Sequence, residues 1–191
     1  MAIKTFTTGE VLTAADTNTY LANSGLVYVA GGALSSTSTN FAGCFSATYE
    51  NYRIVVSKFN GIGGFVAYRF LNGTTAFTTS VYHTAEVTGN STSASSSVDK
   101  AITSYGILGY NFLNTTDGGF SCSFDFFNPF GNGRSFNTGG YASYYSITPL
   151  FGMGNGGGGI DSTTSFDGIQ ILNSNGGTLA GNVAIYGYRK A

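Results

Sequence analysis

Between Phe120 and Phe127 the chain reads FSCSFDFF. Phe120, Cys122, Phe124 and Phe126 fall on one side of an extended backbone, and Ser121, Ser123 and Asp125 on the other. Side chains alternate between the two faces of a strand, so this run specifies one face in a core and one in water. Few other folds accept so strict a period of two.

The same period recurs along the chain. In GFVAYRFL, Val66, Tyr68 and Phe70 share a face, opposed by Ala67 and Arg69. In NYRIVVSKF, Tyr52, Ile54 and Val56 alternate with Arg53, Val55 and Ser57, so both faces are partly apolar. LVYVA, NFAGCF, TSVYHTAEV, KAITSYGI, GYASYYSITPLF, FDGIQIL and NVAIYGYR are further candidate strands. NGIGG, NTTDGG, NPFGNG, MGNGGGG and NSNGG are the expected turns, and the polar stretch TGNSTSASSSVDK is expected to be a mobile loop. About nine or ten strands at this spacing predict a mainly β domain over residues 26–191, an antiparallel, jelly-roll-like β-sandwich.

Residues 1–25 break the pattern. TGEVLTAADTNTYLANSG holds the one expected helix. Thr13 suits an N-cap, with Asp16 three residues on as in a capping box, and Leu12 suits the staple position before it. Tyr20 and Leu21 supply an apolar patch, and Gly25 can end the helix. A helix of about ten residues is unstable alone and must lean on something. The segment therefore reads as a docking element, with Phe6, Val11, Leu12, Tyr20 and Leu21 as its contacts.

Charge is scarce: charged residues are 9% of the 191 and the net charge is −1. No field gathers nucleic acid or an anionic membrane. The start MAIKTFTTGEV has no apolar signal core, and no run is long enough for a membrane helix, so a soluble, cytosol-made chain is expected without membrane insertion. Low charge with abundant Phe and Tyr also suggests that some aromatic surface lies between subunits.

Motifs for chemistry are absent. There is no G-x-S-x-G elbow, H-E-x-x-H, Walker loop or calcium loop. The single histidine, His83, reads as a strand residue with a structural role. The nine carboxylates are spread singly, although any two could meet after folding as a glycosidase pair. No enzyme, cofactor or metal is expected. Cys44 and Cys122 read as two buried thiols, with a disulfide as the alternative. GGYASYYSI sets Tyr141, Tyr144 and Tyr145 beside glycines, where they suit either neutral sugars or a protein partner, or else a core or subunit contact.

The two ends, read together, bear a resemblance. FTTGEVLTAADTNTYLANSG is similar to the opening of tail-fibre and related virion proteins of tailed bacteriophages, matching at Gly9, Glu10, Val11, Leu12, Thr13, Ala14, Ala15, Asp16, Asn18, Tyr20 and Leu21. FSATYENYRIVVS resembles a recurrent phage pattern through Phe45, Tyr49 and Tyr52, and FFNPFGNGRSF through Asn128 and Pro129. The close, FDGIQILNSNGGTLAGNVAIYGYRK, is similar to their terminal hairpin at Ile169, Ile171, Gly177, Gly181, Tyr186 and Gly187. The resemblance implies a virion structural protein, a homotrimer in contact with other tail or capsid proteins. It also implies a touch on the host surface, polysaccharide or protein. No shaft follows the first segment, which points to a short fibre or tail-tip component. A capsid decoration or cement protein is the alternative, and a polysaccharide depolymerase a third. The expected receptor surface is the loops at one end of the sandwich, with Arg134, Asn137, Tyr141, Tyr144 and Tyr145 as contacts.

Overall fold

The structure, a computed structural model, describes residues 7–11, 13–16, 25–60, 64–90, 92–109, 119–145 and 150–189, with backbone only for 94–102, 145 and 150. A helical turn α1 (Ala14–Asp16) precedes the strands β1 (Leu26–Ala33), β2 (Ser38–Phe41), β3 (Tyr49–Asn60), β4 (Val66–Asn72), β5 (Thr75–Ala76) and β6 (Tyr82–Asn90). Then come β7 (Ala94–Thr103), β8 (Gly106–Gly109), β9 (Phe120–Phe127), β10 (Phe136–Tyr145), β11 (Leu150–Ile160), β12 (Gly168–Asn173) and β13 (Ala180–Arg189). They form two antiparallel sheets that face each other as a sandwich. The larger runs β1-β13-β3-β9-β10-β11-β6-β7; the smaller runs β2-β12-β4-β5, with β8 also on β4.

The predicted alternation holds where it was sharpest. Phe120, Cys122, Phe124 and Phe126 are buried, and so are Tyr52, Ile54 and Val56. The core between the sheets is largely aromatic. Tyr68 meets Phe126 edge-on at 4.9 Å, and Phe70 stacks on Phe166 at 4.8 Å. Both geometries suit the ring quadrupole. Tyr52, Tyr68 and Tyr82 can be buried here because their hydroxyls find partners. Tyr82 donates to the Phe77 carbonyl at 2.9 Å and accepts from the Phe70 amide at 3.0 Å. Tyr52 similarly accepts from the Ser46 amide at 2.7 Å.

Five expectations are corrected. MGNGGGG is no turn but the interior of β11, sandwiched between β10 and β6. Its glycines let neighbours lean across it: a Cβ at 154 would lie 2.4 Å from the Tyr141 ring, and one at 156 would lie 2.7 Å from Glu86 Cβ. The terminal pair is no hairpin. β12 belongs to the smaller sheet and β13 to the larger, so residues 174–179 carry the chain across the sandwich and bury Leu179. The stretch expected as a mobile loop forms the end of β6, a tight turn held by Asn90 Oδ1, and β7. KAITSYGI splits between β7 and β8, in different sheets, and NFAGCF ends as a strand at Phe41.

At the start, Thr13 and Asp16 do form a reciprocal cap. Asp16 N donates to Thr13 Oγ1 at 3.1 Å, and Thr13 N to Asp16 Oδ2 at 3.1 Å. Residues 17–24, where the expected helix would continue, lie outside the described residues, and β1 begins directly after Gly25.

Candidate functional site

The outer face of the larger sheet is set by the parity of its strands. With Phe120–Phe126 and Tyr141 turned inward, their alternates turn out, and the register aligns them in rows across the sheet. One row is Phe127, Phe136, Gly159 and His83; the next is Asp125, Thr138, Gly157 and Ala85. Farther along come Ser123, Gly140, Asn155 and Val87, then Ser121, Ala142, Met153 and Gly89, and at the far end Tyr144 beside Phe151. Among the described residues, each large hydrophobic that is exposed lies on this face, apart from Val11. Phe151 is 68% and Met153 67% exposed.

Charge on this face cancels internally. Arg53 donates Nε to Asp125 Oδ1 at 2.8 Å and its terminal nitrogen to Oδ2 at 2.7 Å. The Tyr188 hydroxyl donates to the same Oδ1 at 2.6 Å, and the guanidinium lies 5.7 Å from the Tyr188 ring. The hydrogen bond from Arg53 holds the Asp125 carboxyl below its ordinary range. Beside this cluster, Val55, Ser57, Ser121, Ser123, Gly140 and Ala142 floor a shallow trough of about 460 Å³.

A narrower slot of about 410 Å³ opens at the end of the face where β10 begins and β11 ends. His83, Arg134, Phe136 and Asp161 stand around it, with Gly158, Gly159 and Ile160 beneath. The Phe136 ring leans over Gly159: a Cβ there would sit 3.0 Å from Phe136 Cδ1. The loop from β9 to β10 brings Arg134 to the rim. It turns at Asn128, whose φ is 54°, and the Asn128 amide group occupies the place a Cβ would take at Gly131. Two backbone bonds pin the opposite rim, Ile160 N to Ser135 O at 3.0 Å and Asp161 N to Val81 O at 2.9 Å. Arg134 Nε then reaches Asp161 Oδ1 at 2.7 Å, and both side chains remain more than half exposed. The slot thus joins one aromatic face, one imidazole and a neutral ion pair with unused donor and acceptor edges.

The structure separates the five expected receptor contacts. Arg134 is at the slot. Asn137 and Tyr141 are not on a surface at all. Asn137 is buried and accepts the Tyr68 hydroxyl at 2.9 Å, while Tyr141 is buried and stacks on Phe120 at 5.3 Å. The reason is parity, since residues 137 and 141 share the inward side of β10, and Tyr144 lies on the other. Tyr144 is half-buried on the outer face, its ring 4.9 Å from Phe151, at the opposite end of β10 from the slot. The side chain of Tyr145 lies outside the described residues. Of the expected docking contacts Val11 is exposed, and Phe6, Leu12, Tyr20 and Leu21 lie outside the described residues.

Sequence reasoning missed Phe136, Asp161 and the position of His83 in this site. Their only signal was the register around the glycine strand, which was hidden once that strand was read as a turn. Both cysteines are free, and burial pushes each thiol up to about 12. Glu86, buried on the inner side of β6, has its carboxyl pushed up to about 7 by burial, and its Oε1 has no partner among the described residues. Among the described residues no group of three or more His, Cys, Asp or Glu side chains is placed to hold a metal, and no helix is long and apolar enough to cross a membrane. Compared with protein-family models, with curated proteins and with solved structures, the chain finds no match.

Proposed function

We propose that the chain is a virion structural protein of a tailed bacteriophage. It acts as a short tail fibre or tail-tip component at host attachment and is built as a homotrimer. The observation that carries the reading is the outer face of the larger sheet, where exposed hydrophobics gather around a self-neutralised charge cluster. A single soluble domain rarely leaves such a patch open. Because the charge cancels within one copy, a second copy meets no like-charge penalty. Tyr144, Phe151, Met153 and Val87 form the contact between copies, at the end of the face away from the slot.

The segment before β1 docks the trimer to its particle. Its described part is exposed, with no buried residue in α1 and Val11 77% exposed, as suits an element that completes its burial on another protein.

Two measurements test the reading. Sedimentation of the purified chain is expected to give a trimer, and a stable monomer at micromolar concentration would overturn the assembly. A chain starting at Gly25 is expected to fold and trimerise yet be missing from particles. Particle images that place the protein on the capsid rather than the tail would favour a decoration or cement role.

A further inference from the structure

We propose that the slot bounded by His83, Phe136, Arg134 and Asp161 binds a single ring of a neutral sugar. The inference rests on the attachment reading for the source of the ligand, a surface polysaccharide. The chemistry rests on the slot alone.

The shape comes first. Phe136 and His83 stand in one cross-strand row on either side of Gly159. A side chain at 159 would fill the gap and lift the Phe136 ring, because its Cβ would lie 3.0 Å from Cδ1 and 3.1 Å from the Ser135 carbonyl. With glycine there, the ring lies toward β11 and stays 55% exposed. An aromatic ring resting on a strand with one side in water is a platform for a flat ligand with an apolar face.

Hydrogen bonding comes second. Arg134 uses Nε on Asp161 Oδ1; its terminal guanidinium nitrogens and Asp161 Oδ2 have no partner among the described residues, and both side chains are more than half exposed. Together they offer several donors and an acceptor at one rim. A pair of neighbouring sugar hydroxyls, each both donor and acceptor, matches that mixture. An anion matches it poorly. Phosphate or a uronate would gain from Arg134 but would meet the Asp161 carboxylate at ion-pair distance from the same guanidinium. The rim is therefore selective against charge as well as receptive to hydroxyls.

Location comes third. The slot lies at the start of β10, and Tyr144 and Phe151 lie at its other end, about 26 Å away at ~3.3 Å per residue. Subunits meeting through the far end leave the slot open to a ligand.

The test is saturation-transfer NMR on the full chain with glucose, galactose, mannose, N-acetylglucosamine and N-acetylgalactosamine, and with glucuronate and inorganic phosphate as charged probes. At least one neutral sugar is expected to bind with a millimolar Kd. Phe136→Ala is expected to weaken it about tenfold or more. Asp161→Asn should weaken it severalfold and narrow the preference against glucuronate. Tyr28→Ser, on the same face but on β1 at the far edge of the sheet, should leave binding unchanged. Phe136 is largely exposed, so its variant keeps the wild-type melting temperature, and loss of binding is not loss of fold. No transfer to any neutral sugar, binding untouched by Phe136→Ala, or a preference for glucuronate or phosphate would each overturn the proposal. The attachment reading fails separately: a chain that binds sugar yet never enters particles sinks that reading and leaves the slot standing.

Discussion

Tyr68 donates its fully buried hydroxyl to Asn137 Oδ1 at 2.9 Å, tying the smaller sheet to the larger through the middle of the core. Asn137 Nδ2 has no partner among the described residues. A side chain that looks like a surface contact in the sequence is therefore a polar clasp between layers. Asn137→Ala strands the Tyr68 hydroxyl and is expected to cost about 1–3 kcal/mol. Tyr68→Phe leaves the buried Asn137 Oδ1 without its donor and is likewise expected to cost about 1–3 kcal/mol. In the double variant the penalty should fall short of the sum, because no hydroxyl is left unpaired. Urea unfolding of the three variants checks this, and full additivity would mean that the bond is absent in solution.

Glu86 and Asp125 should give stability opposite slopes with pH. Burial raises the Glu86 carboxyl from its ordinary 4.5 to about 7, so the folded chain binds this proton more tightly than the unfolded one. Its contribution is complete below about 4.5 and is lost as pH rises toward 7. Glu86→Gln is expected to remove that decline and to be more stable than wild type by about 1–3 kcal/mol above neutrality. Asp125 is held low, chiefly by the Arg53 hydrogen bond, so its contribution is present above its ordinary 3.8 and fades in acid. Asp125→Asn should be less stable at neutral pH and level with wild type in strong acid. Melting temperatures across the pH range read both.

The glycine strand should tolerate no side chain where a neighbour leans over it. Gly154→Ala would place a Cβ 2.4 Å from the Tyr141 ring in the centre of the sheet. Overpacking of this kind costs about 1–3 kcal/mol. Gly32→Ala meets nothing within 4 Å and should be neutral or slightly stabilising. Equal melting temperatures for the two alanine variants would show that Tyr141 does not lie across β11.

Cys44 and Cys122 should be inert in the folded protein. Both are buried, with thiols pushed up to about 12, so almost no thiolate exists at pH 8. A thiol reagent at pH 8 is expected to label neither cysteine in native buffer and both in denaturant. Rapid labelling of either one without unfolding would contradict its burial.

The assembly face can be probed apart from the slot. Phe151→Ser and Met153→Ser remove the two most exposed large hydrophobics of the sheet among the described residues. They are expected to shift sedimentation toward monomer without lowering the melting temperature of the monomer itself. A trimer that persists in the double variant would move the subunit contact elsewhere.

What the sequence determined by itself was parity. In FSCSFDFF and NYRIVVSKF a local period of two sorts each side chain to a face, and burial follows it residue by residue, whereas in GFVAYRFL Ala67 and Leu71 on the opposing face are buried as well. Parity also held an unread warning: Tyr141 and Tyr144 differ by an odd number, so within one strand they cannot serve one surface. The reciprocal cap of Thr13 and Asp16 was equally local, because it needs only four residues in sequence. What the tertiary structure alone decided was neighbours. A glycine run has no side chains to alternate, so nothing in GMGNGGGG marks it as a strand until β10 and β6 close on it from both sides. IQIL and NVAIYGY look like partners in a hairpin. β12 is buried on all of its residues and pairs instead between β2 and β4, leaving β13 to β1 and β3. The slot is the extreme case. His83, Arg134, Phe136 and Asp161 come from three separate stretches of chain, and only the cross-strand register over Gly159 makes them one site.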